Sequence, residues 1–207
     1  MTEAMKILQT RIGSTPDGNF GPNTARAIVE HFGLNRKRGA HLLGQAAHES
    51  GMFRLTRENL NYSAESMMRV WPKRFPTMES AAPYARNPEA LANKVYSNRM
   101  GNGENEGALW VGRGFIQLTG KANYRAFASD MGLPDVMTDP DLVATEYAFE
   151  SAMWFFESNG LFEMADDGVN DTVITSITKR VNGGTHGLDD RMEQTKKIHS
   201  WIAHVGV

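Results

Sequence analysis

The sequence predicts a mainly α protein with a very small β element. Apolar residues recur at three- and four-residue spacing along most of the chain. Helix start and stop signals punctuate it: Pro22 before Gly33, Ser63 ahead of an apolar run, and Asp139-Pro140-Asp141. Only Phe115 to Leu118 reads as a strand, and it is short.

In chain order, residues 3–12 form a short helix with Met5, Leu8 and Ile12 on one face. A turn-rich stretch from Gly13 to Gly21 leads to a helix that Pro22 opens and Gly33 stops. A third helix runs from about Arg36 to Glu49, with Ala40, Leu43 and Ala47 as its apolar stripe. Residues 51–62 are a loop, and Ser63 caps a helix that ends at Val70. Prolines break up 71–88, a helix follows over 89–97, and glycines at 101, 103, 107, 112 and 114 make 101–114 an extended loop. Lys121 to Met131 is helical. Asp139 is a good N-cap for a helix carrying Leu142, Tyr147, Phe149, Trp154 and Phe155, apolar nearly all round and expected as the central core helix. Asp171 caps a helix to about Val181, and the last helix spans about Leu188 to Val205, with Leu188, Met192, Thr195, Ile202 and Val205 inward.

A chain of 207 residues fits a single domain, 1–207, with residues 64–97 the best case for a smaller lobe. A net charge of −2 gives no general attraction to nucleic acid or anionic lipid, although Arg36-Lys37-Arg38 form a local basic run. No stretch approaches the roughly 20 apolar residues of a membrane span, so no stable membrane insertion is expected. The N-terminus lacks the apolar run of a signal peptide. With no cysteine there is no disulfide framework and no thiolate metal site.

Glu49 and Glu58 are the chemically suggestive pair. Hydrolysis of a glycosidic bond needs two carboxyl groups, one to protonate the departing oxygen and one to activate water or attack the sugar carbon. Two glutamates among 24 acidic residues mean little alone, since surface or capping roles would explain them. Glu49, however, ends an apolar helix, which implies partial burial and a protonated side chain, as a general acid needs. Arg57 and Arg54 near Glu58 favour the ionised state required of a base. The glycine-rich segment 112–120 adds backbone able to approach a ligand, with Gln117 and Thr119 as polar side chains.

His48-Glu49 invites a zinc reading, but the His-Glu-x-x-His peptidase pattern fails because position 52 is Met. Ordinary hydrogen bonding accounts for His41 and His48. Gly183-Gly184 after Asn182 fit a helix stop and a ligand-approach loop equally. Trp110, on the glycine-rich loop, suits either sugar stacking or core packing; Trp154 and Trp201 suit the core.

Six blocks occur in order over roughly residues 40–195. They are Ala47-His48-Glu49-Ser50-Gly51, Glu58-Asn59-Leu60-Asn61-Tyr62-Ser63, Tyr96 to Gly103, Gly112 to Gly120, Asn123-Tyr124, and Val181-Asn182-Gly183-Gly184 with Arg191. Together they resemble the family 19 glycoside hydrolases, which include chitinases and many bacteriophage endolysins. The resemblance implies a lysozyme-like two-lobed helical fold with a cleft, and inversion of anomeric configuration. It implies Glu49 as general acid, Glu58 as general base, and Thr119 as the hydroxyl that helps hold the attacking water. It implies His48, Tyr96, Asn98, Gln117, Asn123, Asn182 and Arg191 as the substrate-binding and polar-network set, with no metal and no cofactor.

Plant members of that family usually carry disulfides and a secretion signal, and this sequence has neither. The short Glu49–Glu58 spacing resembles phage-type members. Within residues 1–35, Leu8-Gln9 with Asp17 to Thr24 resembles a truncated peptidoglycan-binding segment. The expectation is a monomeric endolysin that hydrolyses β-1,4 bonds in peptidoglycan glycan strands, made in the host cytoplasm and acting on the wall after release. A chitinase, a lytic transglycosylase and a non-catalytic wall-binding protein are the alternatives.

Overall fold

The computed structural model describes residues 2–203. Its helices are α1 (Glu3–Arg11), α2 (Pro22–His31), α3 (Arg36–Glu49), α4 (Ala64–Val70), α5 (Met78–Ala81), α6 (Pro88–Tyr96), α7 (Lys121–Met131), α8 (Ala148–Ser158), α9 (Leu161–Asp166), α10 (Asp171–Asn182) and α11 (Leu188–Trp201). The chain forms two compact units: Met1–Thr56, Gly114–Gln117 and Asp141–Val207 in the first, and Arg57–Arg113 with Leu118–Pro140 in the second.

The first unit is organised around α3. Every residue from Gly39 to Ala47 is buried. Small residues on α3 let α11 approach closely: a Cβ added at Gly44 would lie 2.8 Å from the Thr195 Cα. Phe53, Phe115, Phe149 and Phe156 are buried in the same core. Each such ring stabilises the fold by roughly 1.5–3 kcal/mol relative to exposure. Asn35 caps α3 through the Arg38 amide. The basic run at its start is consumed by the fold, with Arg38 paired to Asp166 at 2.6 Å, Lys37 donating to the Asp166 carbonyl and Arg36 to the His199 carbonyl.

Gln9 organises the segment after α1. Its buried amide nitrogen donates to the Asp17 carboxylate, the Asn19 carbonyl and the Thr24 hydroxyl, while its oxygen accepts from the Gly18 amide. Phe20 then packs on Phe53, with ring centroids 4.3 Å apart. Residues 17–24 are thereby tied into the core of this unit.

The second unit has its own core of Leu60, Ala64, Met67, Phe75, Ala81, Leu91, Ala92 and Val95. It takes in residues 64–97. Ser63 caps α4 and Asn87 caps α6 through side-chain oxygens.

Several expectations are corrected. Phe115 to Leu118 is not a strand: the only pairing there is an isolated bridge between Arg113 and Leu118, closed by a tight loop with Gly114 at φ +82° and Gln117 at φ +56°. Asp139 does not begin one long helix. Residues 140–144 form a 3₁₀ turn, the chain breaks at 145–147, and α8 starts at Ala148. Met153, Trp154 and Phe155 are only half-buried, so α3 rather than α8 is the central helix. Asn170, not Asp171, caps α10, because its side chain reaches the Val173 amide. Helix α9 was not anticipated. The expected inward position of Val205 lies outside the described residues.

Candidate active site

In the first unit, Glu49 is the last residue of α3, where the helix dipole presents partial negative charge. The Arg191 guanidinium offsets it. Arg191, fully buried on α11, donates from Nη2 to Glu49 Oε1 at 2.5 Å, from Nη1 to Gln45 Oε1 at 2.6 Å and from Nε to the His186 carbonyl at 3.1 Å. Gln45 also donates to the Thr178 hydroxyl, which ties α3 to α10. The His186 carbonyl accepts a second bond, from Asn182 Nδ2, and the Asn182 oxygen accepts from the Gly184 amide. Gly183 stops α10 in the left-handed conformation, the helix-stop alternative for Gly183-Gly184. Asn182 and Arg191 therefore belong to one network that ends on the Glu49 carboxylate, whose side chain keeps 25% of its surface exposed.

His48 precedes Glu49 and bonds through Nδ1 to Asp190 at 2.5 Å. That bond is the leading cause holding the Asp190 carboxyl below its ordinary range. The ring lies so close to Gly187 that a Cβ there would sit 2.2 Å from it. His41 points elsewhere, its Nε2 bonded to the Gly168 carbonyl at 2.9 Å. Gln117, in the tight loop, donates through Nε2 to the Gly114 carbonyl.

In the second unit, Glu58 sits on a loop pinned to Gly112 in both directions. Its amide donates to the Gly112 carbonyl at 2.9 Å, and the Gly112 amide donates to Oε2 at 3.3 Å. The Tyr96 hydroxyl donates to Oε1 at 2.6 Å. Burial first, and the bond to Glu58 second, push the Tyr96 phenol well above its ordinary pKa, so it stays a donor throughout the neutral range. The neighbouring arginines gave no hint of this phenol and amide. Asn102, buried, fixes the end of α6 by donating to the Tyr96 carbonyl and accepting from the Lys121 amide. Arg113 is also buried and ties the loop together through the Leu109 carbonyl and the Tyr124 hydroxyl.

Thr119 is half-buried, and its carbonyl accepts from Asn123 Nδ2 at 2.8 Å. Asn98 is exposed, at φ +59°, with its amide bonded to the Gly103 carbonyl. Trp110 is not a sugar platform: it is 4% exposed and packs on Tyr124.

Sequence reasoning missed Gln45, Thr178, Asp190 and the Gly112 amide. Gln45 was findable. It is a polar residue in an apolar run, one helical turn before Glu49, so the two share a face. Among the described residues no group of three metal-ligating side chains comes together.

The matches with known proteins point one way. A family model described as chitinase class I matches residues 76–176. A glycosyl hydrolase family 19 domain-containing protein of Haemophilus influenzae is 37% identical over 171 residues, covering 80% of each chain. An endochitinase of Arabidopsis thaliana is 41% identical over 80 residues, which is 38% of this chain and 26% of that protein. Among solved structures, a chitinase C mutant superposes with a TM-score of 0.51 at 16% identity, covering 98% of this chain and 77% of that one. At that identity the likeness speaks for the fold alone, a lysozyme-like helical one.

Proposed function

The chain belongs to glycoside hydrolase family 19, and from that premise we propose that it is a phage-type endolysin hydrolysing β-1,4 bonds of bacterial peptidoglycan with inversion. The observation that carries the catalytic assignment is the different holding of the two glutamates. Glu49 has Oε1 engaged by Arg191 and retains exposed surface, which orients the carboxyl so that its other oxygen can meet the glycosidic oxygen. Glu58 accepts from a phenol and a backbone amide, which suits a carboxylate that receives one.

In the proposed reaction Glu49 protonates the glycosidic oxygen as the bond to the sugar carbon breaks. Glu58 takes a proton from a water steadied by the Thr119 hydroxyl. The water attacks the face opposite the leaving group, through an oxocarbenium-like state. An inverting enzyme needs its two carboxyls about 6.5–9.5 Å apart to admit that water. Gln117, Asn123 and Asn98 are the proposed sugar contacts, and Asn182 and Arg191 set the Glu49 carboxyl.

The wall substrate is favoured by the 8–24 segment and its likeness to a peptidoglycan-binding module. A chitin substrate is the second reading, because several relatives are endochitinases by name. Purified murein sacculi and chitin oligomers assayed side by side decide between them. Clearing of sacculi with slow turnover of chitin is expected; rapid chitin cleavage beside intact sacculi overturns the wall reading.

A further inference from the structure

A groove of about 910 Å³ opens on the second unit between the end of α4 and the end of α6. Lys73, Arg74, Lys94 and Arg99 line it together with Trp71 and Tyr96, and no carboxylate does. None of these four cations pairs with a carboxylate among the described residues. Arg74 and Arg99 each donate to the Val95 carbonyl, which fixes two guanidinium groups at the wall; Lys73 and Lys94 are exposed. The contrast with Arg36-Lys37-Arg38 is the carboxylate: Arg38 of that run is paired with Asp166, whereas Arg74 and Arg99 bond to the Val95 carbonyl, Lys94 lies over the Tyr84 ring, and the groove cations line an open groove. In a chain of net charge −2, four cations around one cavity form a local field that a neutral sugar polymer would not use. Tyr96 connects this groove to the chemistry, since the same residue holds Glu58.

We propose that this groove binds the carboxylates of the stem peptides that branch from the glycan strand, making peptide-bearing peptidoglycan the preferred substrate over peptide-free or neutral glycan. The inference rests on the wall reading above. Half-buried Trp71, tilted against Tyr62 and edge-on to Phe75, offers an apolar surface to the aliphatic part of such a peptide. Exposed ion pairs are individually weak and screened by salt, so the preference is modest per cation and strongest at low ionic strength.

The test uses the full chain carrying Glu49→Gln, so that ligand survives. Equilibrium binding is measured to soluble glycan strands bearing stem peptides and to the same strands stripped by an amidase. The expected result is about tenfold tighter binding of the peptide-bearing strands at low salt. That preference disappears in high salt, and it disappears when Lys73→Gln and Lys94→Gln are added with the unfolding midpoint unchanged. Equal affinity for both strands overturns the proposal, as does a preference that survives the two lysine substitutions. The wild-type chain separates this from failure of the wall reading. Cleavage of both strand types without preference leaves the hydrolase and removes the groove's role. Cleavage of neither, with rapid chitin turnover, removes the wall reading while the binding comparison still judges the groove.

Discussion

Glu49 closes a helix buried from residue 39 to residue 47 and meets a buried guanidinium, whereas Glu58 lies on a loop and meets a phenol and a backbone amide. The first arrangement is global. Arg191 reaches Glu49 only because α3 and α11 pack closely enough to exclude a Cβ at Gly44, and Gln45, Thr178 and the His186 carbonyl must all be in place. The second is local, set by a two-way clasp to Gly112 and by one hydroxyl at the end of α6. The difference teaches that changes around Glu49 should couple activity to stability, while changes around Glu58 should touch activity alone.

The largest effect is expected at Glu49 itself. Glu49→Gln keeps the shape and a hydrogen bond to Arg191 but removes the transferable proton and the charge facing Arg191, so kcat falls about 10³-fold, within the range for general acids, and the unfolding midpoint drops by less than in Arg191→Ala. Glycan turnover read beside a thermal melt checks it. Arg191→Ala leaves Glu49 and buried Gln45 without their donor and costs about 3 kcal/mol by urea unfolding, along with most activity. Gly44→Ala places a methyl 2.2 Å from the Thr195 hydroxyl and costs about 1–3 kcal/mol, with activity falling in step because α3 and α11 are pushed apart. Tyr96→Phe removes only the hydroxyl on Glu58. It lowers kcat about tenfold and changes stability by no more than about 1 kcal/mol. A Tyr96→Phe protein that unfolds as readily as Arg191→Ala would abolish the distinction between the two carboxylates.

Much of this was legible in the sequence, for reasons that can be named. Helix α3 carried its apolar stripe and its end in Ala40, Leu43, Ala47 and Gly51, which placed Glu49 at a helix terminus. Ser63 and Pro22 marked the starts of α4 and α2 through local capping chemistry. Partners distant in sequence were reached only through the family resemblance and not through any local pattern. Arg191 lies 142 residues from Glu49, and no local pattern says that its guanidinium will meet that carboxylate. The strand expected at 115–118 failed because apolar content cannot reveal that Gly114 and Gln117 take positive φ and fold the segment on itself. Asp139-Pro140-Asp141 suits an α-helix start equally well, because a five-residue 3₁₀ turn carries the same opening residues.

The smallest predicted effect concerns pH and the first unit alone. Burial holds the His41 ring below its ordinary 6.5, with its Nδ1 lacking a hydrogen-bond partner among the described residues, whereas the unfolded chain takes up the proton near 6.5. Burial shifts His199 in the same direction. The unfolded state thus binds more protons on acidification, so this contribution is complete above 6.5 and is lost as pH falls below it towards the folded value. Urea unfolding at about pH 7.5 and about pH 5.5 should show a loss in the wild type and a shallower one in His41→Gln.

The central claim is that two carboxyl groups divide acid and base roles around a water that ends up in the product. Mass spectrometry of peptidoglycan digested by the wild-type chain tests it most directly. Fragments with hydrated reducing ends are expected, one water heavier than the corresponding anhydro sugars, and they nearly vanish with either Glu49→Gln or Glu58→Gln. Fragments ending in 1,6-anhydro sugars, or undiminished hydrolysis by Glu58→Gln, would contradict it.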